Sequence, residues 1–544
     1  MTHSARPHQL LRFRIPLLLV ILTLHAIWAG FERGDLIDDA YISARYARNL
    51  AQGYGLVYNR GAGLTRVEGY SNFIWVLILA AGQAAGANPR AITQTAGIAA
   101  NLLTLLLVWL LVRRWRRPES DSAAEHYLDL AAPLLLAINL PFLIWASAGL
   151  ETSLFALEII LTFILWGRGQ GPRYPALATA LLAALTRPEG LLLFIALVLA
   201  RTAELVRRRE RLLKSDVRNL LAFLIPYLVY FLWRFFYYGH SVFPNSYYAK
   251  VDPGRIALKE GLFYLFSWLE WGSLPLLLLL GFGAYGLSRR RDRLLLAPAL
   301  FLGLYLGFIL YVGGDWMPDF RFLTHLEPLL VALSVLGIIQ LESLPPNLAD
   351  PRWRRHRLAR LVILLALGMS LYRYTRYELS PSFDRDWHRH QGQFYRGASR
   401  WVLQHVWRSE TVAAGDIGYL GFISDVDRIV DTMGLCDRHL ARLPGIAAFA
   451  ADLDYLFAQD PFGIVMMVHR FPDGQEIGHS ETDRALAKDP RLNQRYRLRS
   501  EIFGWDNLEL SRSDRVRRQS QVWFKLYTRR LDLSASTSSP TPAR

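Results

Sequence analysis

Residues 91–117, AITQTAGIAANLLTLLLVWLLVRRWRR, decide the fold. From Ala91 to Val112 the stretch carries no ionisable side chain. Wound as a helix rising about 1.5 Å per residue, it reaches about 33 Å, enough to cross a hydrocarbon core of about 30 Å. It then stops in Arg113, Arg114, Arg116 and Arg117. An apolar run closed by a short basic cluster reads as a membrane span whose C-terminal end lies in the cytoplasm.

The same pattern recurs outward from this stretch, with further basic clusters at Arg207 to Arg211, Arg289 to Arg293 and Arg352 to Arg360. The chain has 544 residues, 52% hydrophobic and 20% charged, with a net charge of +16. Residues 1–376 hold 39 Lys/Arg against 24 Asp/Glu, and residues 377–544 hold 23 against 22, so the excess sits between the apolar runs. A nucleic-acid partner would need one continuous basic face with polar readers, and none is seen. The lone Cys436 excludes a disulfide framework and any cysteine-based zinc or iron–sulfur site.

Arg12 and Arg14 precede Ile15 to Phe31, which is long for a signal-peptide core and lacks a small-x-small cleavage site. It reads as a retained span with a cytoplasmic N-terminus. Residues 32–90 then form the first outer loop. Its apolar stretch Asn72 to Gly86 is short and closes on Asn88-Pro89, so it reads as an interfacial helix rather than a span. Further spans are expected at 91–112, 127–147, 153–167, 174–186, 190–206, 217–237, 262–287, 294–312, 322–341 and 358–374, about eleven in all. The connector with Gly167, Gly169, Gly171 and Pro172 reads as a tight hairpin. Every strong basic cluster then lies inside.

The expected fold class is an all-α polytopic membrane domain over 1–376 with a C-terminal extracytoplasmic α/β domain over 377–530. Thr411 to Ala414, Arg428 to Val430 and Gly463 to Val468 read as its strands. Residues 531–544 read as a disordered tail.

With the topology fixed by charge, the unusual polar motifs all fall on the outer face. Asp38-Asp39 opens a helical stretch, Ala40 to Leu50, with the two carboxylates about 100° apart. Asp38 shares a face with Arg45, and Asp39 with Ser43 and Tyr46. One carboxylate suits a general base while the other orients a partner; the plain alternative is a helix cap with a first-turn acid. Glu68 lies later in the same loop, Glu151 follows the third span, and Arg187-Pro188-Glu189-Gly190 follows the fifth. Arg187 can pair with Glu189 or hold a lipid phosphate. Asn245 to Lys250 offers Tyr247, Tyr248 and an ammonium, matching sugar and phosphate contacts or an aromatic belt. Gly313-Gly314-Asp315-Trp316-Met317-Pro318, with Arg321, forces a turn that presents charge and a flat ring. Gly281-Phe282-Gly283-Ala284-Tyr285-Gly286 spells a dinucleotide fingerprint, but no strand precedes it and it lies within a span. His388 and His390 have no metal-ligand spacing, and Cys436 reads as a small packing residue.

These motifs carry a resemblance. Asp38-Asp39-Ala40-Tyr41-Ile42-Ser43, Arg45 to Leu50, Gly53 to Asn59 and Val67 to Tyr70 are similar to the mycobacterial terminal β-(1→2)-arabinofuranosyltransferases and related pilin arabinosyltransferases. The similarity continues through Gly149 to Thr152, Arg187 to Gly190, Asn245 to Lys250, Gly313 to Phe322, Gly415 to Gly418 and Asp431 to Leu435. It implies a GT-C fold and a glycosyltransferase using a polyprenyl-phosphate sugar, with arabinofuranose the expected sugar. The acceptor would be a cell-envelope glycan, a pilin-like protein or a lipid, outside a bacterial cytoplasmic membrane. Asp38 or Asp39 becomes the catalytic base; Arg187, Lys250 and Arg321 become phosphate ligands; Glu68, Glu151, Glu189, Tyr248, Asp315 and Trp316 become sugar or acceptor contacts. The sequence names no cofactor, and acids beside phosphate ligands are compatible with Mg²⁺, Mn²⁺ or Ca²⁺ without requiring one. The competing function is a transporter or lipid flippase without transferase chemistry.

Overall fold

The computed structural model describes residues 13–61, 63–116, 128–167, 173–252, 254–288, 293–343, 352–379, 383–510 and 517–530. The expected tail beyond 530, most of the 167–172 hairpin, Arg12, Arg117 and the basic run Arg289 to Arg291 lie outside them.

The membrane domain begins with α1 (Arg14–Phe31), after which the first loop holds α2 (Asp38–Ala51) and α3 (Phe73–Ala84). Helix α3 has 12 residues, about 18 Å of rise, too short for a span of about 30 Å. It buries Trp75, Val76, Leu79 and Ala80, and Trp75 Nε1 donates to the Gly149 carbonyl at 3.0 Å. Then come α4 (Pro89–Trp115), α5 (Ala131–Ala137), α6 (Leu140–Ile144), α7 (Thr152–Trp166), α8 (Tyr174–Thr186), α9 (Leu191–Arg208) and α10 (Lys214–Tyr237). The domain closes with α11 (Asn245–Lys250), α12 (Arg255–Ser288), α13 (Leu296–Val312), α14 (Arg321–Thr324), α15 (Glu327–Ser343) and α16 (Arg352–Leu379). By length and composition, α1, α4 and α10 are long and apolar enough to cross a membrane, among the described residues.

One expected span is corrected. The 127–147 run is two short helices, α5 and α6, because Pro141 lacks an N–H and Asn139 caps a fresh helix by accepting from the Phe142 N–H at 2.9 Å. The glycine-rich Gly281–Gly286 lies inside α12 and serves packing: a Cβ on Gly283 would strike Ser334, and one on Gly286 would strike the Gly337 carbonyl. These glycines let α12 and α15 approach backbone to backbone.

After α17 (Phe383–His405) the chain forms one sheet, with β1 (Thr411–Ala414), α18 (Ile417–Ser424), β2 (Arg428–Asp431), β3 (Gly463–Arg470), β4 (Glu476–Gly478), β5 (Tyr496–Leu510) and β6 (Arg517–Arg529). Strand order is β2-β1-β3-β6-β5, with β4 beside β3. β1 pairs in parallel with β2 and β3, whereas β6 is antiparallel to β3 and β5. β1 is therefore the centre of the parallel part, β2-β1-β3, and the loops leaving β1 and β2 open at the strands' C-terminal ends. In open α/β sheets that edge is where binding groups gather. Here it docks on α2: one apolar cluster joins Ile37, Tyr41, Tyr46 and Tyr58 to Ile417, Leu420, Ile429 and Cys436.

Candidate active site

Asp38 and Asp39 occupy the first turn of α2 and diverge, as adjacent helical residues must. The Asp38 carboxylate is 7% exposed and fully engaged. Its Oδ2 accepts the Gly418 N–H at 2.8 Å, and its Oδ1 the Tyr419 N–H at 2.7 Å. Asp38 thus caps α18 from another domain, satisfying N–H groups that a helix start leaves open. Burial pushes its carboxyl well above the usual range; the Asp416 carboxylate adds to this and the Tyr419 N–H opposes it. A Cβ on residue 418 would collide with the Asp38 carbonyl, so this seam requires glycine. Arg45 is turned to the same seam: it donates to the carbonyls of Tyr58 at 2.9 Å and Val426 at 2.6 Å, and to that of Gly421.

Asp39 is half-buried, and its Oδ2 lies 3.3 Å from Lys250 Nζ. The ammonium in turn sits 5.7 Å from the Trp316 ring centroid, within cation–π range. Trp316 is 55% exposed. It is held out by a turn in which Gly313 and Gly314 have φ of 84° and 83°, and Gly314 lies on the Tyr264 ring. The same turn places Asp315 Oδ2 against Arg321 Nε at 2.7 Å. Arg321 lies over Trp145 at 5.8 Å and Phe322 at 5.4 Å.

The other sequence candidates fall into separate ion pairs. Arg187 donates through Nε to Glu189 at 2.5 Å and through Nη1 to Glu151, and it lies 5.3 Å from the Phe322 ring centroid. Glu151 also accepts from Asn72 at 2.7 Å, and Asn72 accepts from Ser43 at 3.2 Å. Glu68 takes both carboxylate oxygens to Arg234 Nε, at 2.9 and 2.7 Å. Burial lifts Glu68 to about 7 against the pull of Arg234. Tyr248 lies under Arg442 at 4.3 Å. The arrangement brings together Asp39, Lys250 and Trp316, and the turn that carries Trp316 also pairs Asp315 with Arg321. It commits Asp38, Arg187, Glu151, Glu189 and Glu68 to closed pairings. Arg234 has no place in the sequence reading, although it is the one charged residue in the apolar stretch Leu220 to Tyr237; Asp416 lies within the Gly415 to Gly418 motif but was given no role. The latter accepts from Tyr395 Oη at 2.8 Å and has φ of 27°, a left-handed value that is strained for a non-glycine residue. Among the described residues, no three or more His, Cys, Asp or Glu side chains are grouped to hold a metal ion.

Three comparisons bear on this geometry. A family described as a domain of unknown function, DUF8728, matches residues 384–527. The chain is 28% identical over 292 residues to the terminal beta-(1->2)-arabinofuranosyltransferase of Mycobacterium tuberculosis, a stretch covering 50% of this chain and 44% of that protein. The match therefore spans less than half the length of that relative. ArnT from Cupriavidus metallidurans bound to undecaprenyl phosphate superposes with a TM-score of 0.52 at 14% identity, covering 97% of this chain and 99% of that one. Its apo state gives 0.53 at 14% identity over 94% and 97%. The chain thus shares the fold of ArnT, a helical membrane domain with a C-terminal α/β part, and in sequence it resembles the mycobacterial terminal arabinofuranosyltransferase.

Proposed function

We propose that this protein is a membrane glycosyltransferase that moves a sugar, arabinofuranose by its sequence relative, from a polyprenyl-phosphate donor to a cell-envelope acceptor on the extracytoplasmic face. The observation that carries the reading is the Asp39–Lys250–Trp316 group. A half-buried carboxylate, an ammonium 3.3 Å away and an exposed indole stand together, and the turn that carries the indole also carries Asp315, which is paired with Arg321.

In this reading the acceptor hydroxyl oxygen attacks the anomeric carbon. A new C–O bond forms while the bond from that carbon to the phosphate oxygen breaks, and the electron pair leaves with polyprenyl phosphate. Asp39 takes the hydroxyl proton; a positioned base of this kind contributes about 10²–10⁴-fold. Lys250 has three N–H donors, so it can hold the leaving phosphate while keeping one on Asp39. Arg321, with Nε held by Asp315, keeps its two amino groups for the same phosphate. Placing cations where charge develops lowers the barrier. Trp316 gives the pentose a flat face to stack on.

The test is transfer by membranes containing the protein, supplied with polyprenyl-phosphate donors carrying labelled arabinofuranose, arabinopyranose or hexose. Label reaching an acceptor from arabinofuranose alone is the expected result. Transfer from a different donor would replace the sugar assignment. Intact donor in every case would overturn the reading.

A further inference from the structure

Lys250 sits at the end of α11, a helix of six residues. Isolated helices shorter than about 12–15 residues are marginal in water, so the position of Lys250 is set by what ties α11 down rather than by the helix itself. The ties concentrate at one residue. Asn245 is 4% exposed, and its Nδ2 shares two protons among three carbonyls of the α/β domain: Gly434 at 2.8 Å, Leu435 at 3.1 Å and Asp437 at 3.0 Å. Its Oδ1 accepts from Arg442 at 3.3 Å, and its backbone N–H donates to the Glu68 carbonyl in the first loop at 2.8 Å. Glu68 is itself locked to Arg234, which also donates to the Val242 carbonyl at 2.8 Å. Asn245 therefore joins the first loop, through its backbone N–H, to the loop after β2, through its side chain, and the Glu68–Arg234 pair extends the link to the end of α10.

We infer that Asn245 is a positioning residue for the transfer: through the 434–437 loop it uses the α/β domain to fix α11, and so holds the Lys250 ammonium against Asp39. The inference rests on the proposed glycosyltransferase reading. It gives the α/β domain a part in the reaction beyond covering the site, since the loop leaving β2 fixes the phosphate-side lysine while the start of α18, the helix after β1, fixes Asp38.

The experiment is a double-mutant cycle on the full-length protein in membranes, with Asn245→Ala, Lys250→Ala and the double variant, read as polyprenyl phosphate released. Residues acting through one another give non-additive losses, whereas independent ones multiply. Lys250→Ala is expected to lose on the order of 10²-fold and Asn245→Ala on the order of 10-fold. The double variant should stay within about threefold of Lys250→Ala. A double variant that falls further than this, towards the product of the single losses, overturns the inference, as does full activity in Asn245→Ala. A readout independent of turnover accompanies it: acetylation of Lys250 by an amine-reactive reagent, followed by peptide mass spectrometry, with thermal melting alongside. Faster labelling of Lys250 in Asn245→Ala at an unchanged melting temperature is expected, and unchanged labelling contradicts the role. Should Asn245→Ala melt early, His439→Ala, in the same loop but with its ring on Asp452 and Tyr455, keeps the three carbonyl bonds and is expected to retain wild-type labelling. Labelling as fast as in Asn245→Ala would then count against the clamp. An inactive wild type would strike the proposed function instead, leaving the labelling result to judge the clamp.

Discussion

Replacing Asp38 and Asp39 one at a time by Asn should give opposite phenotypes, although the residues are neighbours of the same type. Asp38→Asn keeps the shape but turns one of two acceptors into a donor, which then faces the N–H of Gly418 or Tyr419 in a site only 7% exposed. Losing a bond to an ionisable acceptor and stranding a buried N–H costs about 2–4 kcal/mol. For a unit of 150–250 residues, at roughly 2–4 °C per kcal/mol, melting should fall on the order of 10 °C. Asp39→Asn loses one 3.3 Å pair between side chains that are 23% and 37% exposed, so stability should stay within about 0.5 kcal/mol of wild type. Transfer, in contrast, should drop about 10²–10⁴-fold with the base removed. The assay pairs tryptophan-fluorescence melting of the solubilised protein with label transfer, each normalised to inserted protein. Gly418→Ala serves as a check on the seam, because its methyl group meets the Asp38 carbonyl and should destabilise like Asp38→Asn. A stable but inactive Asp38→Asn beside an active Asp39→Asn would refute the assignment of structural and chemical roles.

Other expectations follow from the same contacts. Trp316→Ala should leave melting unchanged, since the ring is 55% exposed, yet raise the KM for donor or acceptor about tenfold if the indole stacks on a sugar; unchanged KM for both would remove Trp316 from the site. Gly286→Leu should separate α12 from α15 and lower stability by about 1–3 kcal/mol or more, read as earlier melting; tolerance would show the packing has slack. Asp431 is fully buried, and burial lifts its carboxyl to about 7 against N–H bonds from Cys436 and Met433. Because its unfolded value is about 3.9, the folded domain holds this proton more tightly. Its contribution is therefore most favourable below about pH 4, declines as pH rises through about 7 and then levels off. Asp431→Asn should flatten that part of the melting-versus-pH curve, and an unchanged slope would contradict the account.

Much of the helical part was legible because its signal is local. A charge-free run ended by Arg113 and Arg114 says span and stop within a few residues. The three sequence-read strands appear where expected, at Thr411–Ala414, Arg428–Asp431 and Gly463–Arg470. The long β5–β6 hairpin was missed: Tyr496–Leu510 mixes charge and aromatics, and its register is broken by shifts near Ser500 and Trp505, so no clean alternation survives. The break of 127–147 at Asn139-Leu140-Pro141 was written in the sequence, but overall hydrophobicity hid it. For the site, sequence could name Asp38-Asp39 yet not divide their labour. The partner N–H groups of Asp38 lie 380 and 381 positions away, and no spacing rule reaches so far. For Arg187 the sequence offered Glu189 as a partner or a lipid phosphate; its second partner, Glu151, belongs to a different motif 36 residues earlier.

The most direct test of the central claim is the rate of polyprenyl phosphate release from labelled polyprenyl-phosphoarabinofuranose, comparing wild type with Asp39→Asn at equal membrane insertion. The account predicts acceptor-dependent release by wild type and a loss of at least about a hundredfold in the variant. Equal release by the two proteins would contradict it.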